Sequence, residues 1–378
     1  MRKIEMVDLK GQYQNIKTEV DEALQSVIDS AAFVKGGKVM DFQRHLEEFL
    51  HVRHVIPVGN GTDALMLSLM ALDLKPDDEV IVPSFTFISA AEVVSFLGLK
   101  LVLADVDENS FCLTEENIRR VLTDKTKVII PVHLFGQNAD MSAIMRLARE
   151  RGIYVIEDAC QSIASKCQLD DGSWSFSGTI GDLGCASFFP SKNLGCYGDG
   201  GAVFTNNDEW AERVRSFANH GMTVRYHHDR IGVNSRLDAM QAAVLDVKLN
   251  YLNQYTEARR KAANYYSENL KDVFQIELPT VSAHTTHVWH QYTIKVHDGK
   301  RDALQAFLNE KGVPSMVYYP IPIHRQKSYE GSRCAEVVLS VSEKLSDEVL
   351  SLPMHTELDE GQLRHIVETI KKFFSYDE

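Results

Sequence analysis

No Cys-x-x-Cys pair occurs in the chain, no apolar run reaches the roughly 18–20 residues of a membrane-spanning helix, and the basic residues form no stripe. Each absence removes a class of protein. The six cysteines, at positions 112, 160, 167, 185, 196 and 334, lie scattered, which favours neither a disulfide framework nor a zinc site and reads most of them as small core residues. Lys and Arg number 40 against 53 Asp and Glu, a formal net charge of −13. Nucleic acid, whose phosphates need basic stripes, is therefore not expected as a general partner. The segment Met1-Arg-Lys-Ile-Glu-Met-Val-Asp8 lacks the apolar core of a signal peptide, so a cytoplasmic protein with no membrane contact is expected. His227 and His228 are neighbours without a supporting carboxylate pattern, which places metal binding well below contact with an anion.

What is present is a long alternation of strand and helix. A chain of 378 residues allows about two domains. Residues 8–52 read as amphipathic helices with a turn near Gly36-Gly37, and Phe42, Leu46, Phe49 and Leu50 mark a buried face. Strands are expected at 54–58, 79–82, 100–104, 127–131 and 153–157, with helices at 63–72, 87–97, 114–122 and 141–151 between them, Thr114 and Asn117 forming the start of the third. This pattern calls for an α/β fold, a mainly parallel sheet between two layers of helices. Further on, residues 237–270 read as one long helix, and strand, helix, strand and closing helix at 290–296, 302–311, 313–319 and 362–374 read as a small α+β domain. The expected division is a large domain over 1–250, including the N-terminal helical segment, and a small C-terminal domain over 251–378.

Ligands of such sheets sit at the carboxyl ends of the strands. Four stretches fall there. Gly59-Asn-Gly-Thr62 joins a strand to a helix start, where free N–H groups and the helix dipole favour a phosphate; taken alone it reads better as an ordinary turn with Thr62 as helix cap. Phe85-Thr-Phe87 and Asp158-Ala-Cys-Gln161 follow two other strands. The fourth, Ser187-Phe-Phe-Pro-Ser-Lys-Asn-Leu-Gly-Cys-Tyr-Gly-Asp-Gly-Gly201, turns the chain sharply about Lys192. A lysine held there out of full contact with water has its charged form disfavoured, and its amine becomes a nucleophile suited to Schiff-base chemistry.

Asn60-Gly-Thr62, Pro83-Ser-Phe-Thr-Phe87, Glu157-Asp-Ala-Cys-Gln161, Ser187-Phe-Phe-Pro-Ser-Lys192, Gly198-Asp-Gly-Gly201 and Gly232-Val-Asn-Ser-Arg-Leu-Asp238 occur in this order. As a set, over almost the whole chain, they resemble the pyridoxal-phosphate-dependent nucleotide-sugar aminotransferases of the DegT/StrS type, with the aspartate aminotransferase fold (fold type I). The resemblance implies pyridoxal 5′-phosphate as cofactor, joined to Lys192, with Asp158 on the pyridine nitrogen, Gln161 on the ring hydroxyl and Phe87 on the ring face. It implies Gly61, Thr62 and Ser187 at the phosphate, with Asn234 reaching it from the neighbouring subunit of a homodimer. Arg225-Tyr-His-His228, Arg230-Ile-Gly-Val-Asn-Ser-Arg236 and Tyr319-Pro-Ile-Pro-Ile323 look like the enzymes that aminate UDP-2-acetamido-2-deoxy-3-oxo-glucuronate with glutamate, for surface polysaccharide precursors. A hexuronate needs a cation, and Arg236, then Arg225 and His227, are the candidates, with Tyr318 and Tyr319 also expected at the substrate. Relatives commonly carry His where this chain has Tyr318. Amination at C4, a dTDP-linked sugar, or a cofactor-binding regulatory protein of the same fold are the alternatives.

Overall fold

The computed structural model describes residues 2–375. Its first elements are helices α1 (Leu9–Asn15), α2 (Lys17–Ser30) and α3 (Gly37–Leu50). The four-residue spacing of Phe42, Leu46 and Leu50 puts all three on the buried face of α3, while Phe49 is only partly covered. Next come β1 (His54–Val58), α4 (Gly61–Met70), β2 (Glu79–Pro83), α5 (Ser89–Phe96), β3 (Lys100–Ala104), α6 (Glu115–Val121), β4 (Thr126–Ile129), α7 (Met141–Arg151) and β5 (Tyr154–Asp158). A small antiparallel pair, β6 (Lys166–Gln168) and β7 (Trp174–Phe176), precedes β8 (Leu183–Ser187), β9 (Gly201–Thr205) and α8 (Asp208–Phe217). Thr114 and Asn117 form the capping box anticipated for α6.

Seven strands join in the order β1-β9-β8-β5-β4-β2-β3. Neighbours from β8 to β3 run parallel, and β9 alone runs against both of its neighbours. Burial at nearly every position of β2, β5, β8 and β9 follows from helices covering both faces of a parallel sheet. This is the expected three-layer architecture.

A short hairpin, β10 (Met222–Val224) with β11 (His227–His228), leads to α9 (Ala239–Leu249) and α10 (Leu252–Leu270). The single long helix expected over 237–270 is thus two. The Tyr251 N–H bonds to the Lys248 carbonyl three residues back, which tightens the chain into a bend between them. The remaining elements are β12 (Ile276–Glu277), β13 (Tyr292–Val296), α11 (Arg301–Glu310), α12 (Ser340–Glu348), β14 (Val349–Leu352) and α13 (Glu360–Ser375).

Strands β12, β13 and β14 form an antiparallel sheet. Tyr266, Tyr292, Ile294, Leu304, Ile366 and Ile370 build a core against it that also takes Ile4 from the N-terminus. The strand expected at 313–319 is absent; only Met316 pairs, with Ser351 of β14. Pro314 and Pro320 supply no N–H for a ladder, and β14 occupies that edge instead. After leaving this sheet the chain returns to the large one, where Ile323, Tyr329, Leu339 and Leu345 join the principal core.

Candidate active site

The carboxyl ends of β5 and β8, the start of α4 and the segment after β2 surround one cavity of about 690 Å³. Within it lie Gly61, Thr62, Phe87, Asp158, Gln161, Ser187, Lys192, Tyr318 and Tyr319. These come from five separate stretches of sequence, so the sheet topology does the gathering.

At the start of α4 the helix cap is Asn60, not Thr62. Its side-chain oxygen accepts from the Asp63 N–H at 2.8 Å, while Thr62 pairs its hydroxyl with that of Ser89 at 2.9 Å. The first N–H groups of a helix have no partner inside it, and here they face the cavity wall formed by Ser187. A methyl group on Gly61 would stand 2.8 Å from the Ser187 Cβ and 2.9 Å from the Cys160 Sγ. Glycine therefore permits the close approach of α4 to β8. Ser235 braces the loop from outside, accepting from the Gly59 N–H at 2.9 Å and donating to Asp63 at 2.6 Å.

Strand alternation turns Asp158 toward the cavity and Glu157 toward the opposite face. The backbone of Asp158 is fixed on both sides, its N–H donating to the Pro131 carbonyl at 2.9 Å and its carbonyl accepting from the His133 N–H at 3.0 Å. Its carboxylate accepts from the Cys160 N–H at 3.1 Å. Glu157 is fully buried and accepts from Gly178, Ile180 and Gly181 N–H groups at 3.0, 2.6 and 2.6 Å. His133 completes this set. Its Nδ1 accepts from the Ala139 N–H at 3.1 Å, leaving the proton on Nε2 to donate to Glu157 at 2.8 Å.

Gln161 accepts from the Phe135 N–H at 2.8 Å and donates to the Tyr319 hydroxyl at 3.1 Å. That hydroxyl belongs to a segment pinned to the large sheet: the Ile323 N–H donates to the Ser84 carbonyl at 2.9 Å, and Ser84 pairs with His324 at 2.7 Å. Phe87, 56% exposed, stands at the rim with its ring 6.2 Å from that of Tyr319.

Lys192 sits in a turn closed by its own N–H donating to the Phe189 carbonyl and by the Cys196 N–H donating to the Phe188 carbonyl, both at 2.8 Å. Burial lowers the pKa of its amine below the ordinary lysine value, and it outweighs the opposing pull of Cys160 and Asp158. Desolvation disfavours the ammonium, so the neutral nucleophile is easier to reach. Behind the turn lies a second lysine. Lys248 of α9 is buried, donates to the Gly195 carbonyl at 2.8 Å and has its amine 4.6 Å from the Tyr197 ring. Burial pushes its pKa down to about 8. Little in the sequence singles this residue out, since one lysine in a helix normally reads as surface.

Four anticipated residues lie outside the cavity lining of this chain. Arg225 and His227 are exposed on the β10–β11 hairpin, Arg225 over the ring of Tyr226 at 5.1 Å. Asn234 is exposed and its backbone pairs with Asn219, and Arg236 is partly exposed beside the braced Ser235. Conversely, Cys160, Asp199, His290 and Gln291 line the cavity and were not foreseen as site residues. His290 opens the strand expected over 290–296, two positions before β13 begins, and shows no motif that separates it from a core histidine.

A flexible amine beside a carboxylate, an amide and a helix start, all on the carboxyl edge of a mainly parallel sheet, defines an enzyme of fold type I. The chain belongs to the DegT/DnrJ/EryC1/StrS aminotransferase family, whose model matches residues 14–371. It is 42% identical to the UDP-2-acetamido-2-deoxy-3-oxo-D-glucuronate aminotransferase of Pseudomonas aeruginosa, covering 96% of this chain and 98% of the relative. It is also 42% identical to the UDP-N-acetyl-3-dehydro-alpha-D-glucosamine 3-aminotransferase of Acidithiobacillus ferrooxidans (98% and 97% covered) and to a pleiotropic regulatory protein of Geobacillus stearothermophilus (99% of both). Among solved structures, a DegT DnrJ EryC1 StrS aminotransferase from Brucella abortus superposes with a TM-score of 0.92 at 40% identity, covering 98% of this chain and 99% of that one. NtdA of Bacillus subtilis with bound cofactor PMP superposes with a TM-score of 0.88 at 33% identity, covering 96% and 82%.

Proposed function

We propose that this protein is a pyridoxal-phosphate-dependent aminotransferase that moves the amino group of glutamate to the C3 keto group of a UDP-linked 2-acetamido-2-deoxy-3-oxo-hexuronate. The observation that carries the reading is Lys192 and Asp158 in one cavity, with a glycine-admitted helix start on its wall. The donor set fits the cofactor: N–H groups of Gly61 and Thr62 with the Ser187 hydroxyl suit a phosphate, Phe87 a flat ring, Gln161 a ring hydroxyl and Asp158 a protonated ring nitrogen. C3 is favoured by the names of the two sugar aminotransferases at 42% identity, both of which act on 3-oxo or 3-dehydro UDP-sugars.

When bound, pyridoxal phosphate supplies an aldehyde carbon and a ring that withdraws electrons. Asp158, held by strand and loop, keeps a negative charge at a fixed point and so holds a proton on the nitrogen opposite it. Lys192 offers an amine whose ammonium form burial disfavours, and as a free amine it would take the proton from the donor Cα. The same amine delivers a proton back when the keto-sugar occupies the site. Tyr319 and Phe87 narrow the mouth and limit water.

The working unit in this reading is a homodimer with shared sites. Asn234 of one chain would reach the phosphate of the other, and Arg236, then Arg225 and His227, would meet the uronate carboxylate, with Tyr318 and Tyr319 on the sugar. In support, the face that carries Asn234 also carries Ile231 at 92% exposure and Tyr226 at 76%, apolar area suited to burial against a second copy. We place the enzyme in the cytoplasm, making precursors of surface polysaccharides; among the described residues no helix is long and apolar enough to cross a membrane.

The test is a panel of UDP- and dTDP-linked 3-keto and 4-keto sugars with glutamate or aspartate. Amination of a UDP-linked 3-keto-hexuronate, abolished by Lys192→Ala, is the expected result. Turnover retained by that variant would overturn the assignment. The regulatory reading, prompted by the Geobacillus relative, requires instead a wild-type protein that holds cofactor but fails to convert it with glutamate.

A further inference from the structure

Among the polar side chains that line the cavity and that the reaction above leaves unused is His290. It stands next to Gln291 and near Lys192, and only 6% of the residue is exposed. Its position is rigid. The Val288 N–H donates to the Gly136 carbonyl at 3.0 Å and the Gln291 N–H to the Phe135 carbonyl at 3.2 Å. Gly136 lies at φ +107°, where an added Cβ would come within 2.9 Å of the His290 nitrogen, so the two segments are zipped together at contact distance. Phe135 in turn donates to Gln161. The imidazole is thereby fixed relative to the residues that face the ring.

Two features make this wall fit for an anion. The His290 Nδ1 is buried without a hydrogen-bond partner. A buried orphan N–H is rarer and costlier than an orphan lone pair, so the proton resides on Nε2 and that nitrogen is a donor. Behind the residue lies Arg259, 3% exposed. Its Nη1 donates to the carbonyls of Trp289, His290 and Met354 at 3.0, 3.3 and 3.0 Å. Its Nε has no partner, and burial, with no acid opposing it, lowers its pKa to about 10. The guanidinium therefore projects an uncompensated positive field toward His290. Burial, with the charges of Lys192 and Arg259, holds the imidazole neutral.

We infer that His290, backed by the field of Arg259, is the group that binds the α-carboxylate of the amino donor. The inference rests on the aminotransferase reading above. The donor Cα must lie against Lys192, which takes its proton, and the α-carboxylate is one bond from that carbon. The wall bearing His290 lines the same cavity as Lys192, close enough for the lysine charge to act on the imidazole, and it offers an N–H backed by a positive field. A neutral imidazole also suits the second substrate. When the sugar keto carbon replaces the donor Cα, the same N–H meets a hydroxyl or acetamido oxygen, which a permanent surface cation would accommodate less well.

The probe is 2-methylglutamate, which has no Cα proton and stops at binding. Its affinity for the holoenzyme is measured by calorimetry with wild type, His290→Phe (ring kept, donor lost) and His290→Gln (donor kept). The phenylalanine variant is expected to bind it about tenfold to a hundredfold more weakly, the effect of one hydrogen bond to a charged group, with a smaller rise of about twofold to tenfold in the KM for nucleotide-sugar, the effect of one hydrogen bond to a neutral oxygen. Glutamine is expected to restore most of the affinity. Should phenylalanine fail to pack, His290→Asn, whose shorter arm withdraws the donor, takes its place. Unchanged affinity in the donor-less variant overturns the inference, as does equal loss in both variants. A rise confined to the KM of a uronate sugar assigns the wall to the other carboxylate and also overturns it. Wild-type protein inert to both glutamate and aspartate refutes the aminotransferase reading itself, a separate result.

Discussion

Replacing Glu157 by Gln changes one atom and tests the frame behind Asp158. One carboxylate oxygen accepts from the Ile180 and Gly181 N–H groups, each at 2.6 Å, and the other from the Gly178 N–H at 3.0 Å and His133 Nε2 at 2.8 Å. Either way round, the new amide NH2 therefore faces two donors. The backbone donors cannot reverse, and His133 cannot move its proton to Nδ1 without losing the Ala139 N–H. Two bonds to a charged acceptor are lost at roughly 1.5–3 kcal/mol each, with the donors left buried, so a destabilisation of about 3–6 kcal/mol is expected. Scaled by the unfolding entropy of a chain this long, that is a fall of about 4–8 °C in Tm. Cofactor affinity should fall with it, because the chain joins this carboxylate directly to Asp158. Scanning calorimetry and a cofactor titration on the same preparation read both. A Tm within about 1 °C of wild type, the scale of an ordinary surface substitution, together with unaltered cofactor affinity, would refute the account of this cluster.

Two further outcomes follow from single features. Gly61→Ala puts a methyl 2.8 Å from the Ser187 Cβ, an atom of a strand that cannot swing aside; overpacking of about 1–3 kcal/mol and a roughly tenfold loss of pyridoxal phosphate affinity are expected, and unchanged affinity would show that the helix start has room. His287, His355 and His290 are held neutral by burial, the first two pushed down to about 3 and about 4. The unfolded chain binds protons at these residues from pH 6.5 downward while the folded chain does not. Stability should therefore fall as pH drops from 6.5 toward 4, by up to about 1.4 kcal/mol per pH unit for each histidine. His355→Gln should flatten that slope by about one proton's share, and a wild-type unfolding midpoint independent of pH over this window would contradict it.

The sequence was most legible where the signal is local. His54–Val58 and Lys100–Ala104 appear as strands at their anticipated bounds because short β-prone runs flanked by turn residues leave few alternatives. Lys192 stands out because proline and glycines bracket it. Residues whose role depends on a distant partner were not legible. Lys248 is separated by 53 positions from the carbonyl it binds, and nothing nearby distinguishes it from a solvated lysine. The strand β14 was hidden because Val349–Leu352 is a short apolar run directly continuing a helix. Its partner edge was assigned instead to a stretch punctuated by Pro314, where tertiary pairing and missing donors overruled propensity.

These distant bonds also explain why the cavity is rigid on one side and open on the other. Ser84 with His324, Lys248 with Gly195, and Asn193 with the Val288 carbonyl at 2.8 Å each tie a cavity-bearing turn to an element far away in sequence. They fix Lys192, Tyr319 and His290 relative to the sheet without any of them spending its functional atoms on the scaffold. Among the described residues no such long-range tie holds the β10–β11 hairpin, on which Arg225, Tyr226 and His227 are exposed. The lining residues include three acids, Asp63, Asp158 and Asp199, and one lysine. A UDP-sugar carrying several negative charges would be poorly matched to that lining alone, so positive groups from outside this set have to complete it. Arg259 supplies one from behind the wall, and in the proposed dimer a second chain presenting Arg236 would supply the other.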